Sequence, residues 1–134
     1  MIVVDASALV AIAEREPEWE RFLGVLNRTD VSYLSPINYL ETGAVLIQRG
    51  HFADEIELES WLAKLGVKRR EDVDLGPAAL SVYLRFGKGF HAARLNLGDC
   101  FAYALAKALD APLLYKGDDF AKTDIRSAVQ APPS

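Results

Sequence analysis

Cysteine is almost absent from this chain, since Cys100 is the only one in 134 residues. A single cysteine excludes an internal disulfide framework and a cysteine-rich zinc site, and it suits a reducing compartment, so we expect a cytoplasmic protein. Long apolar runs are missing too: no stretch approaches the roughly 20 residues that cross a bilayer. No basic segment precedes the first apolar run, as it would in a secretory signal.

Basic residues are in the minority. Lysine and arginine number 15 against 19 aspartates and glutamates, which leaves a net charge of −4. This balance argues against binding nucleic acid through bulk charge, although it leaves room for a local basic patch. Repeats, low-complexity segments and long linkers are also absent, and the length fits one domain. We therefore predict a single domain over residues 1–130, a tail at 131–134 and no membrane association.

The chain does contain short apolar runs that alternate with helical patterns. Buried strands are predicted at residues 2–4, 31–34 and 113–115, a weaker strand at 73–75 and an edge strand around 127–130. Helical patterns start at Ser7, Pro17, Pro36, Pro77 and Asn96, and a further one includes Leu58, Trp61, Leu62 and Leu65. Alternation of this kind is typical of α/β proteins, in which helices cover both faces of a parallel sheet.

Hydrophobic periodicity also predicts which faces of the helices point inward, and two of these faces matter for the site and its surroundings. For the helix that starts at Pro36, the apolar periodicity points inward at Ile37, Leu40, Ala44 and Ile47. For the helix that starts at Pro77, the same rule selects Leu80, Tyr83 and Leu84. The basic run at 68–70 between these helices is predicted to be a solvated loop.

Acidic residues recur where a parallel sheet would gather them. Asp5 follows the first strand, with Ser7 as the expected N-cap of the next helix, and Asp118 and Asp119 follow the strand at 113–115. Asp99 lies in the first turn of a helix, and Glu41 projects on the predicted inward side of another. The carboxyl ends of parallel strands border the crevice in which open α/β sheets bind ligands.

Several carboxylates in one crevice repel one another and raise one another's pKa unless a cation is present. An all-oxygen ligand set favours a hard ion such as Mg²⁺ or Mn²⁺. Such an ion can orient a phosphodiester, activate water and stabilise the leaving oxygen. The residues themselves therefore suggest metal-assisted phosphodiester hydrolysis.

The segment 85–98 contains four basic or imidazole side chains and no acidic one: Arg85, Lys88, His91 and Arg94. It leads directly into Asp99. Two interpretations stay open from the sequence: an ordinary exposed loop, or an edge that contacts RNA phosphates beside the acidic site.

The chain resembles the PIN domains of VapC-type toxins. The resemblance rests on Val3-Val4-Asp5-Ala6-Ser7, on Glu41 after Pro36, and on two longer runs at residues 87–100 and 115–124. It implies a three-layer α/β/α PIN-like fold with a central parallel sheet. It also implies an endoribonuclease that depends on Mg²⁺ or Mn²⁺, a cognate antitoxin that blocks the site, and a homodimer.

The resemblance also implies residue roles. Asp5, Glu41 and Asp99 match the acidic metal-binding triad. The fourth acidic position is Asp119 when the comparison starts from Phe120, and Asp118 when it starts from the strand end. Further implied contacts are those of Ser7 and Thr123 with a carboxylate or a metal-bound water, and those of Lys116, together with the basic residues named above, with RNA.

Three other interpretations remain at this point. Two of them keep the PIN fold and differ from a VapC-type toxin only in function: a PIN nuclease without an antitoxin, and a PIN-like module that has lost activity. A phosphoryl-aspartate protein would be a different class of protein. A phosphatase of that class needs a second aspartate two residues after Asp5, where Ser7 stands, so we weigh it least.

Overall fold

A computed structural model describes residues 1–129, and its centre is a sheet of parallel strands. The strands are β1 (Ile2–Val4), β2 (Ser32–Leu34), β3 (Val67–Arg69) and β4 (Leu113–Leu114). Their spatial order is β3-β2-β1-β4, so the first strand is interior. The strands all run in one direction, so their carboxyl ends lie at a single edge of the sheet.

Helices cover both faces of this sheet. They are α1 (Ala6–Ala13), α2 (Trp19–Asn27), α3 (Pro36–Gln48), α4 (Glu55–Lys64), α5 (Gly76–Phe86) and α6 (Leu97–Ala108), and a 3₁₀ turn spans Phe120–Lys122. One core joins α1, α2 and α4 to Ile2 and Val4, and a second joins α5 and α6 to Val3. Side chains along β1 thus alternate between two buried faces. The predicted three-layer α/β/α architecture is confirmed.

The third strand is not where the sequence placed it. The strand predicted at 73–75 does not form, and β3 instead runs through the first part of the basic segment that was predicted to be a loop. It lies at the edge of the sheet and pairs only with β2 there. Lys68 and Arg69 are exposed, and charged side chains are a common way of protecting an edge strand.

The inward face of α3 also differs from the prediction. Asn38, Thr42 and Leu46 are fully buried, whereas Leu40 is 64% exposed. Ala44 is exposed, and Ile37 and Ile47 are only partly buried. The buried face contains polar side chains that find hydrogen-bond partners, so hydrophobic periodicity pointed to the wrong side.

The buried face of α5 also differs from the predicted one, though by less than in α3. Ala79, Val82 and Phe86 face the core, whereas Leu80 and Leu84, which were predicted to be inward, are exposed. Tyr83 is partly buried. The inward face packs against α6, where the Phe86 and Tyr103 rings lie 5.7 Å apart, and the two leucines remain outside.

The last described residues add no strand. Ser127 forms one isolated parallel bridge with Leu113. Of the predicted edge strand, Gln130 lies outside the described residues, as does the predicted tail at 131–134. Within residues 1–129, no helix is both long enough and apolar enough to span a membrane.

Candidate active site

Asp5 stands directly after the central strand and caps α1. Its Oδ2 accepts a hydrogen bond from the backbone N–H of Ser7 at 3.0 Å. The helix begins at Ala6, so the expectation that Ser7 would be the N-cap is wrong: the aspartate at the strand end caps the first turn itself. Asp5 is only 4% exposed. Burial raises its pKa to about 6, the nearby charge of Glu41 adds to the rise, and hydrogen bonds from Ser7 oppose it.

Ser7 connects two of the loops at this edge of the sheet. Its hydroxyl oxygen accepts a hydrogen bond from the backbone N–H of Lys116, just after β4, at 3.0 Å. Because its own N–H binds Asp5, the residue fixes the aspartate relative to the last strand. Thr123 is engaged elsewhere: its hydroxyl donates to the Phe120 carbonyl at 2.7 Å and accepts from Ile125 N at 3.2 Å.

Glu41 is held by a buried asparagine on the same helix. Asn38 is fully buried, and its Nδ2 donates to Glu41 Oε1 at 2.9 Å and to the carbonyl of Gly98 at 3.1 Å. Its Oδ1 accepts from the hydroxyl of Ser35, the N-cap of α3. Asn38 therefore joins α3 to the start of α6 and sets the position of the glutamate. Partial burial, together with the charge of Asp99, raises the pKa of Glu41.

Gly98 leaves the space that Glu41 occupies. A methyl group at this position would lie 2.5 Å from Glu41 Cδ and closer still to Oε1. Glycine is needed here for the close approach of a carboxylate to the first turn of α6, and not for an unusual backbone conformation.

Asp99 lies in that first turn. Asn96 and Asp99 form a reciprocal capping box: Asp99 N donates to Asn96 Oδ1 at 2.8 Å, and Asn96 N donates to Asp99 Oδ2 at 3.0 Å. Burial raises the pKa of Asp99 to about 6, and the charges of Asp5 and Asp119 contribute to the rise. The adjacent Cys100 is buried, and burial raises the pKa of its thiol to about 11, so it is not an activated nucleophile.

The structure brings Asp5, Glu41 and Asp99 within electrostatic range of one another. The charge of Asp5 raises the pKa of Asp99, that of Asp99 raises the pKa of Glu41, and that of Glu41 raises the pKa of Asp5. Asp118 and Asp119 are both exposed beyond β4, and only the charge of Asp119 acts on Asp99. This electrostatic effect on Asp99 favours Asp119 over Asp118 as the fourth acidic residue.

Within the described part of the chain, these carboxylates form no ion pair. In residues 1–129, no lysine, arginine or histidine forms a salt bridge with Asp5, Glu41, Asp99, Asp118 or Asp119. In each member of the triad, one oxygen binds an N–H group of its own helix or cap, at Ser7, Asn38 and Asn96 respectively. For Glu41 and Asp99, no group within residues 1–129 donates a hydrogen bond to the second oxygen, which is open to a ligand.

The donor set fits a hydrated divalent ion. Across the described part of the chain, no three acidic, histidine or cysteine side chains lie close enough together to hold one metal ion directly. Mg²⁺ keeps several of its waters and is commonly bound through one or two carboxylates. Carboxylates around a shared space suit an ion of this kind, with water between some of the ligands and the metal.

The basic residues singled out in the sequence divide into two groups. Lys116 forms ion pairs with Glu16 at 3.0 Å and Glu18 at 3.5 Å, so its charge is already neutralised. The others lie at the end of α5 or in the loop that follows it: Arg85, Lys88, His91 and Arg94. All four are exposed. The Nδ1 atom of His91 accepts from Ala93 N at 3.0 Å, which leaves Nε2 as the ring nitrogen available to a ligand.

Sequence reasoning missed Asn38 and Gly98. Asn38 stands three residues after the helix cap Ser35 and three before Glu41, a spacing that places all three on one side of the first turns of α3. That spacing is the one signal that could have identified it. Nothing in the sequence around Gly98 indicates that a residue 57 positions earlier needs its space.

Replacement of Asn38 by alanine should lower any activity of this site about 10- to 100-fold, because residues that orient metal-binding carboxylates have effects of that size. It should also lower the free energy of unfolding by about 1–3 kcal/mol, because buried hydrogen-bonding groups lose their partner. Enzyme assays and denaturant melts would measure the two effects.

Thr42→Val is the matched control. It removes a buried hydrogen bond to the Asn38 carbonyl, on the same helix face, without touching Glu41. It should cost stability but not activity. Equal losses of activity in both variants would show that Asn38 acts only through stability.

Comparison with known proteins gives the family. The PIN domain model matches residues 2–126. This protein is a PIN-domain protein of the VapC type. It is 44% identical over 125 residues to the ribonuclease VapC of Mycolicibacterium smegmatis, with 92% of this chain and 97% of that protein covered. It is 42% identical over 125 residues to the ribonuclease VapC30 of Mycobacterium tuberculosis, with 92% and 95% covered.

A solved structure supports the fold of this PIN domain. The crystal structure of VapC20 of Mycobacterium tuberculosis, described as a toxin that cleaves the sarcin-ricin loop, superposes with a TM-score of 0.73. The match covers 93% of this chain and 96% of that one at 17% identity. The resemblance to VapC-type PIN domains is therefore confirmed at the level of family and fold.

Proposed function

We propose that this PIN-domain protein is an endoribonuclease that depends on Mg²⁺ or Mn²⁺. The observation that carries the proposal is the set of mutually repelling carboxylates at one edge of the sheet, with no cationic side chain paired to them in residues 1–129. A buried charge without a partner is unfavourable, and a divalent ion at this position would neutralise it. The relatives named ribonuclease supply the substrate class.

A divalent ion bound here supplies a charge that polarises a phosphodiester, lowers the pKa of a bound water and stabilises the leaving oxygen. Asp5 and Asp99 would hold the ion, and Asp119 would complete the set from the loop after β4. Glu41, fixed by Asn38, would bind through water or accept a hydrogen bond from the attacking water and so orient it. Ser7 would hold Asp5 in place through the N–H bond described above.

We also propose that the protein is the toxin of a toxin–antitoxin pair, that a cognate antitoxin blocks this site, and that the protein forms a homodimer. The VapC relatives support the assignment as a toxin with a cognate antitoxin, and the homodimer is carried over from the resemblance to VapC-type PIN domains. A neighbouring gene for a small DNA-binding protein would distinguish a toxin from a PIN nuclease that works without an antitoxin.

Purified protein should cleave total cellular RNA with Mg²⁺ or Mn²⁺ and should not cleave it with EDTA. Gel electrophoresis of the products is the measurement, and mapping of the cut ends would identify the target. The assay requires protein shown to be folded and free of antitoxin. Absence of cleavage with either metal across RNA pools from several growth conditions would contradict the proposal and favour a binding module.

A further inference from the structure

A cationic loop precedes the helix that bears Asp99. We call residues 87–95 the basic loop. Lys88 and Arg94 in the loop, and Arg85 just before it, form no salt bridge within residues 1–129. In a chain of net charge −4, these unpaired positive charges form a local exception that suits a polyanion.

The loop is closed and fixed at its base. Lys88 N donates to the Leu95 carbonyl, and Leu95 N donates to the Phe86 carbonyl, both at 3.0 Å. Ala93 and Leu95 are fully buried and hold its second half against the core. The next residue, Asn96, caps α6, and its backbone N–H donates a hydrogen bond to Asp99 Oδ2. The base of the loop is therefore directly joined to a residue that binds a candidate metal-binding carboxylate.

Phe90 lies at the outer turn of the basic loop and is 58% exposed. Its ring meets Tyr83 edge-to-face, with 5.6 Å between ring centroids. Its backbone N–H donates to the Gly87 carbonyl at 2.9 Å, and Gly89 makes the turn with a φ of +93°. The ring is therefore oriented by a neighbour and much of its surface faces solvent, flanked by cationic residues.

We propose that the basic loop binds unpaired nucleotides of the RNA, with the Phe90 ring stacked on one base and with Lys88 and Arg94 on the phosphates beside it. Proteins that bind single-stranded nucleic acid combine aromatic stacking with a positive surface that follows the backbone. A base inside a duplex has no free face, so this arrangement selects single-stranded segments or loops. The inference rests on the proposed ribonuclease function and adds to it a position at which one base of the RNA is held.

Charge favours RNA over a second copy of the chain as the occupant of this surface. A symmetric dimer contact joins a patch to the same patch of the partner, which would bring two sets of unpaired positive charges together. The phosphates of RNA complement those charges instead. An exposed phenylalanine within a cationic loop thus has a clear role in binding RNA.

The test uses a short single-stranded RNA that carries a fluorescent adenine analogue, whose fluorescence is quenched when the base stacks on an aromatic ring. Its binding is measured with protein that carries Asp5→Asn, which prevents cleavage. Phe90→Leu keeps apolar bulk but removes the stacking face. It should weaken binding about 5- to 150-fold and relieve the quenching of the base. Phe90→Trp should retain both the affinity and the quenching.

Leu84→Ala, at an exposed apolar position on α5, is the matched control and should change neither the affinity nor the quenching. Binding of the same sequence as a duplex should be unaffected by Phe90→Leu.

Unchanged binding and quenching in Phe90→Leu would overturn the inference, and RNA cleavage by the wild-type protein in the metal assay would show that the proposed function still stands. A change of molar mass by light scattering in Phe90→Leu, with RNA binding intact, would also overturn it and assign the ring to an interface between copies. If the wild-type protein cleaves no RNA and the Asp5→Asn protein binds none, both proposals fail together.

Discussion

Replacement of Asp5 by asparagine should reduce RNA cleavage by at least about a thousandfold, because several kcal/mol of transition-state stabilisation depend on the metal that this residue would hold. Asparagine is as good an N-cap as aspartate, so α1 should keep its cap and the fold should persist. Initial rates of cleavage for a fluorescently labelled RNA measure the loss.

The same substitution should make the metal-free protein more stable at pH 7. In the folded protein the pKa of Asp5 is raised from its ordinary value of 3.8 to about 6, so the folded state holds the proton more tightly than the unfolded state. Stability therefore falls as the pH rises from about 4 through about 6, by up to about 3 kcal/mol for this one carboxyl. Asparagine has no such penalty, and its melting temperature at pH 7 should be higher by up to about 10 °C.

Melting curves between pH 3.5 and pH 8, with and without Mg²⁺, would measure this effect. The two proteins should melt alike near the acidic end of the range and diverge above it, and Mg²⁺ should stabilise only the wild-type protein. Asp30→Asn, at an exposed position before β2, is the control and should alter neither cleavage nor the pH profile. A loss of stability in Asp5→Asn at pH 7 would contradict the assignment of Asp5 as an uncompensated buried charge.

Gly98→Ala is expected to lower activity on the order of a hundredfold without a comparable loss of stability. The new methyl group occupies the place of the Glu41 carboxylate, and this carboxylate is the mobile end of a long side chain. It can therefore move away at the cost of its hydrogen bond from Asn38, but it then leaves the site, and a displacement of about 1 Å is enough to cost about a hundredfold. Alanine in a helix is otherwise favourable by up to about 1 kcal/mol relative to glycine.

Two comparisons make this prediction specific. Gly76→Ala, at the start of α5, places a methyl group no closer than 3.5 Å to any neighbour and should leave activity unchanged. In a Glu41→Ala background, Gly98→Ala should have no further effect, because the two substitutions act on one contact. Independent losses in this double-mutant cycle would show that Gly98 does not act through Glu41.

The elements that sequence predicted well are those with a strong local cause. A β-branched run followed at once by an aspartate specified β1 and the position of Asp5. Ser35 followed by Pro36 specified the start of α3, and the Asn96–Asp99 pair specified the start of α6. Each of these signals lies within a few residues, and caps and buried strands are recognisable at that range.

Other features depend on contacts distant in sequence and could not be predicted in this way. Helix α3 buries Asn38 because the carbonyl of Gly98, 60 residues further along the chain, accepts a hydrogen bond from its side chain, which the apolar stripe of α3 does not reveal. Strand β3 consists largely of charged residues and exists because β2 offers a free edge. The candidate acidic residues, together with Ser7 and the Asn96 cap, were proposed from the sequence, whereas the roles of Asn38 and Gly98 beside Glu41 became apparent only from the structure.

The single cysteine gives a direct way to observe opening of this molecule. Cys100 is one residue beyond Asp99 on α6, is 1% exposed, and its raised pKa keeps it in the unreactive thiol form. A thiol-specific dye can modify it only when α6 detaches from its surroundings, so the labelling rate measures the free energy of that local opening. Because no other thiol contributes to the signal, the rate would also report how strongly a bound ion or RNA holds the helix that bears Asp99 in place.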